Sequence, residues 1–249
     1  MIQDLHSHTY YSFCGKDTPE QVVETAIAGG VELIGISDHN YGIGFGRTEL
    51  LYSKQKENRS YDRMLRHYFD HMNLVKEKYA DRIRILRGIE IATIYNDDKP
   101  KIALPPDEDV SFFDYCLIEH LDQPESITNG ELFGFAKRCG CPVVGVAHTD
   151  LFSHAAKLGI DPLDYFKRMA DENIFWEMNV SYDSIHNYQQ HAYMLHFFED
   201  PVQQEIVQRS GVRVSVGFDG HRVEDYLPER VADYCNRLSK MGIKKPFEE

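Results

Sequence analysis

Strands and helices alternate along the whole chain and predict an α/β fold, a (β/α)7 TIM-like barrel formed by residues 1–249 as a single domain. Three observations carry that expectation. Seven short apolar segments are separated by helical stretches, the pattern of parallel strands joined by right-handed crossovers. No linker or low-complexity tract divides the 249 residues, and 42% hydrophobic content suits one sizeable core. Each strand runs into polar residues. A barrel gathers such residues on one face, whereas an open sheet binds at a single switch point.

The first strand is expected at residues 2–5, running into His6-Ser7-His8. Thr18-Pro19-Glu20-Gln21 then starts a helix with a capping threonine, a first-turn proline and a glutamine that completes a capping box. Val22, Val23, Ala26 and Ile27 form its apolar stripe, and Gly29-Gly30 stops it. The second strand, 33–36, runs into Ser37-Asp38-His39-Asn40. Residues 41–60 are glycine-rich and then charged, and read as a long loop over one face. A helix over 61–78 carries His67 and His71 on the outer layer, without the glutamate of a metalloprotease helix.

The third strand, 84–89, ends in Glu90, and the fourth, 115–118, in Glu119-His120. A helix over 129–138 leads to the fifth strand, 143–147, which ends in His148-Thr149-Asp150. Asp161-Pro162 opens another helix, and the sixth strand, 174–178, ends in Asn179. Asp200-Pro201 opens a further helix, the seventh strand at 212–218 ends in Asp219-Gly220-His221-Arg222, and a last helix covers 228–240.

The formal charge of −13 repels nucleic acid and anionic membrane, so neither is an expected partner. No apolar run approaches the ~20 residues that span a bilayer, and the amino terminus lacks a basic region followed by an apolar stretch. Five cysteines without zinc-finger spacing fit a reduced compartment, and the expected location is cytoplasmic.

His6 and His8, one residue apart past a strand, would point to the same side. Alone, such a pair is more often a solvated strand end than a metal site. With His39, Glu90, His120, His148, Asp219 and His221 it becomes eight ligand-type residues on one face of one barrel. Histidine and carboxylate are the donors that borderline divalent cations prefer, so the joint pattern predicts a multinuclear metal site.

In this order, His6-Ser7-His8, Asp38-His39, Gly88-Ile89-Glu90, His120, His148 and Asp219-Gly220-His221 resemble the motifs of the PHP (polymerase and histidinol phosphatase) family. Residues 147–151 and 176–179 look most like its histidinol-phosphatase branch. The resemblance implies a distorted barrel with two or three divalent ions (Zn, Mn or Fe). His6, His8, Glu90 and Asp219 would hold the first. Glu90 would bridge to a second, held also by His120 and His148. His39 and His221 would hold a third, with Cys14 where many relatives have histidine; there a thiolate ligand and a spectator whose place Lys16 fills are both open.

The implied activity is hydrolysis of a small phosphomonoester, histidinol phosphate first, by a metal-activated water. Asp38, Glu119, Asp150 and Asn179 are candidate partners of the ligand histidines. Arg222, Lys16 and Arg47 are candidates for the phosphoryl oxygens, and His221, if freed from a metal, for protonating the leaving group. Ile118-Glu119-His120 and Phe218-Asp219 depart from the usual motifs beside the ligands, which bears on specificity. The alternatives are a phosphodiesterase or nuclease, which would need a basic surface, an amidohydrolase, which would need a modified lysine, and an inactive metal-binding module.

Overall fold

The computed structural model describes residues 1–43, 59–94, 103–104 and 108–248. Seven strands, β1 (Gln3–Asp4), β2 (Leu33–Ile36), β3 (Arg84–Ala92), β4 (Tyr115–Glu119), β5 (Val144–Val146), β6 (Ile174–Asn179) and β7 (Val214–Gly217), form one parallel sheet in chain order. The sheet then closes on itself. The amide of Leu5 donates to the carbonyl of Val216 (3.1 Å), that of Asp219 to His6 (2.8 Å) and that of His8 to Gly220 (2.8 Å). The expected barrel is therefore present. Its distortion lies in a two-residue β1 and a seam made largely from the extensions of β1 and β7.

Outside the barrel lie α1 (Pro19–Ala28), α2 (Arg59–Lys78), α3 (Leu132–Cys139), α4 (Leu151–Lys157), α5 (Pro162–Asp171), α6 (Ala192–Glu199), α7 (Pro201–Ser210) and α8 (Pro228–Lys240). Thr18 and Gln21 make the expected capping box on α1. The helix expected at 129–138 begins only at Leu132, because Asn129 and Gly130 take left-handed φ values of 49° and 81° and Glu131 caps the first turn. Two helices went unread. α4 is a seven-residue helix capped by Asp150. α6 follows His191 without a side-chain cap and ends at Asp200, which also caps α7. Most of the loop expected at 41–60, with Arg47, lies outside the described residues. No described helix is long and apolar enough to cross a membrane.

The period-two alternation of strands decides which side chains enter the barrel. Leu5, Leu33, Leu86, Tyr115, Leu117, Ala147 and Phe175 pack together as the inner floor. Their strand neighbours Ile34, Ile85, Cys116 and Trp176 join the apolar layer under the helices. The Tyr115 hydroxyl crosses the interior to donate to the carbonyl of Leu5 at 2.6 Å. Gly35 and Gly88 leave room for it, since a Cβ there would lie 2.1 or 2.4 Å from Tyr115. Continued one or two steps past this floor, the same alternation carries Glu90, Glu119, Glu177, Asn179 and Asp219 to the carboxyl mouth.

Candidate metal centre

Glu90 is wholly buried and stands at the middle of the mouth. Its Oε1 lies 3.3 Å from His6 Nε2 and 3.2 Å from His148 Nε2. Its Oε2 lies 3.5 Å from His8 Nε2 and 2.7 Å from His39 Nδ1. Asp219 Oδ1 approaches His8 Nε2 to 3.1 Å and His6 Nε2 to 3.5 Å, and the two Nε2 atoms are 3.1 Å apart.

The protons on these rings follow from their other partners. His6 Nδ1 is 2.7 Å from Glu177 Oε1, and a carboxylate only accepts, so Nδ1 carries the proton. His8 Nδ1 faces Ser12 Oγ at 3.3 Å, and that hydroxyl already donates to Asp38. Ser12 therefore accepts, and His8 Nδ1 is the protonated nitrogen. Burial and then the charge of His39 push the pKa of His8 down to about 3, so the ring is neutral with a lone pair on Nε2. When His6 is neutral too, two lone pairs and two carboxylates confront one another away from water. Four donors bonded at about 2.1 Å in a tetrahedron stand about 3.4 Å apart. The 3.1–3.5 Å separations among His6 Nε2, His8 Nε2 and Asp219 Oδ1 fit a divalent transition-metal ion, and Glu90 turns one oxygen to each imidazole at 3.3 and 3.5 Å.

Without a cation, protons take that place. Burial opposes the charge on His6, but Asp219, Glu177 and Glu90 outweigh it and raise its pKa well above the usual value. Glu90 does the same, against burial, for His39 and His148. Raised pKa values mean that deprotonation, and with it metal binding, is favoured by higher pH. Apparent affinity is expected to climb, with proton release, as the pH rises from the usual histidine range to above it. Calorimetry in two buffers of different ionisation enthalpy measures that release, and none at all would contradict the competition.

The remaining candidates are placed unequally. His148 reaches Glu90, while His120 turns Nε2 to Glu119 Oε2 at 2.7 Å. The His8 ring is stacked between His39 and His221, with centroids at 4.5 and 4.6 Å. Cys14 groups with His8 and His39. Burial favours its neutral thiol, but hydrogen bonds with His221 and His39 outweigh that and lower its pKa. His120, His148 and Asp219 have φ values of 62°, 28° and 56°, a left-handed backbone that costs non-glycine residues about 1–3 kcal/mol. Three strand ends are thus bent to aim ligand-type side chains.

Other candidates lie apart from this convergence. Lys16 is 59% exposed and pairs with Glu224 at 3.2 Å. Arg222 lines a cleft with Val22 and Thr25 of α1. His71 meets the Tyr11 hydroxyl at 2.9 Å. Asp150 is a helix cap rather than a partner of a ligand. Asp38 accepts from the amides and hydroxyls of both Thr9 and Ser12, which shapes the loop after His8. Asn179 donates to Asp219 Oδ2 at 3.2 Å.

Sequence reading missed several groups. Glu177 lies within β6, one oxygen on His6 Nδ1 and the other accepting from the amide of His148 at 2.8 Å. Its parity with Phe175 and Asn179 was the available signal. Glu177→Gln is expected to weaken metal binding about 10–100-fold, read by calorimetric titration; an unchanged affinity would deny it that role. Asp183 and His186 come from the loop after β6 and group with His221. No periodicity marks them.

A family model for the PHP domain matches residues 4–222. The chain belongs to the PHP domain family. Curated protein sequences return no match. Among solved structures, histidinol phosphate phosphatase from Lactococcus lactis, complexed with zinc, L-histidinol and phosphate, is similar at 15% identity. The likeness covers 98% of this chain and 95% of that one, with a TM-score of 0.55, and is a likeness of fold. A Listeria monocytogenes protein provisionally described as a histidinol phosphatase matches at 14% identity over 98% of this PHP domain chain and 92% of its own, with a TM-score of 0.39.

Proposed function

We propose that this PHP domain is a metal-dependent phosphoesterase acting on a small phosphomonoester. The observation that carries the reading is the confrontation of His6 and His8 Nε2 with Glu90 and Asp219, in a family named for phosphatases. Divalent ions, when bound, supply Lewis acidity that lowers the pKa of water and offsets phosphoryl charge. The chain's own part is to hold and orient. Glu177 keeps the proton on His6 Nδ1, and Asn179 steadies Asp219. Among the described residues Glu90, Glu119 and Asp219 form ion pairs only with histidines, so no lysine or arginine neutralises them. Burial opposes charge on His221, but Asp183, Cys14 and Asp219 raise its pKa to about 10. Freed from a metal, His221 would hold a proton to give to the leaving oxygen.

Histidinol phosphate leads the substrate panel, since residues 147–151 and 176–179 resemble that branch and the Lactococcus lactis protein was solved with L-histidinol and phosphate. A polymer phosphodiesterase is disfavoured by the charge of −13. The test is a panel of phosphomonoesters, a diester and an oligonucleotide, assayed with Mn2+, Zn2+ or Fe2+ before and after chelation. Monoester turnover that is lost with chelator and restored by metal is expected. Preference for the diester, or no turnover with any metal, would sink the reading.

A further inference from the structure

We propose that Glu119 is itself a metal ligand, holding a divalent cation together with Glu90 Oε2 and His39 Nδ1. The proposal rests on the metal-centre part of the functional reading and is independent of the substrate. The alternation of β4 puts Glu119 on the inner face with Tyr115 and Leu117, one step beyond the floor, and it is 2% exposed. One oxygen is engaged, Oε2 lying 2.7 Å from His120 Nε2. The other, Oε1, is buried and makes no aligned hydrogen bond, and the same holds for Glu90 Oε2 and His39 Nδ1, although these two face each other as an ion pair. These three atoms form one group: His39 Nδ1 is 2.7 Å from Glu90 Oε2 and 3.4 Å from Glu119 Oε1.

Two buried carboxylates brought to one nitrogen repel each other unless positive charge lies between them. The direction of that nitrogen is held by packing, because the His39 ring is stacked between His8 at 4.5 Å and Tyr41 at 4.7 Å. Two carboxylate oxygens and one imidazole make a harder donor set than one containing the Cys14 thiolate. They suit Mn2+ or Fe2+ better than a thiophilic ion. The Ile118-Glu119-His120 departure thereby becomes an added donor, which ties the His39 side of the centre to the His120 side.

The competing arrangement is an imidazolium at His39 paired with both carboxylates and no ion. Titration of the chelator-stripped full chain with Mn2+, with free ion read by electron paramagnetic resonance, separates the two. Glu119→Gln, which keeps the shape and removes the charge, is expected to bind one Mn2+ fewer than the parent chain, or its weakest ion about 10–100-fold less tightly. Glu119→Ser should behave alike, and thermal unfolding in chelator identifies which variant is folded. Equal stoichiometry, with affinities within about threefold, in a folded variant would overturn the proposal. A parent chain that binds no Mn2+, Zn2+ or Fe2+ would overturn the metal centre with it. Absence of phosphatase activity alone would count against the substrate reading, while the Mn2+ titration still decides the role of Glu119.

Discussion

Glu90→Gln is expected to remove at least one ion from the centre and, with it, turnover. Glu90 carries more of the site than any other described residue, because its two oxygens face His6, His148, His8 and His39. Burial alone would favour its neutral form, yet the charges of His39 and His6 and the hydrogen bond from His148 hold it well below the usual carboxylate range. An amide there keeps the volume and loses the charge that four imidazoles surround. Removing one partner of a buried pair costs about 3–5 kcal/mol. At about 1.4 kcal/mol per tenfold, that is roughly two to nearly four orders of magnitude in metal affinity. Metal analysis of protein purified without chelator, beside calorimetric titration of the stripped protein, measures it. A glutamine variant that keeps its ions and its rate within about twofold would remove Glu90 from the hub.

Gly217→Ala should damage packing and site together. At the end of β7 an added Cβ would stand 2.0 Å from Glu177 Oε1 and 2.7 Å from His6 Cβ, both wholly buried. Neither neighbour can yield freely, because Glu177 also holds the amide of His148. Overpacking of this kind costs about 1–3 kcal/mol, which urea unfolding in chelator would show without any contribution from metal. Displacement of Glu177 from His6 Nδ1 adds a further loss of about 10–100-fold in metal affinity. Unfolding and titration curves that overlay those of the parent would mean that β7, Glu177 and His6 are not in this contact.

The barrel was legible because its information is local. Apolar runs of strand length, threonine or aspartate before proline, and glycine stops each act within a few residues, and Thr18-Pro19 and Asp161-Pro162 start helices as expected. α4 and α6 escaped for local reasons too: one is only seven residues long, and the other begins without a cap. In the site, residues past strand ends were visible, and the structure brings His6, His8, Glu90, His148 and Asp219 to hydrogen-bond or ion-pair distance of one another. Glu177 was hidden inside an apolar strand, where a polar residue reads as an interruption until its parity is compared with that of Phe175 and Asn179. Asp183 and His186 depend on how a loop folds back over the mouth, and loops carry no period. Lys16 sits near the ligands in sequence, yet its long exposed side chain finds Glu224 first.

The barrel seam joins residues 5–8 to residues 216–220, and His6, His8 and Asp219 converge across that same seam. An ion bound there is a cross-link between the first and seventh strands, closing a loop that contains nearly all of the intervening barrel. By the entropy of loop closure, a tie of that span restricts the unfolded chain by on the order of 5 kcal/mol wherever the ion stays bound. The ion would then fasten the cylinder as well as furnish its chemistry, and a stripped protein should begin to unzip along this edge.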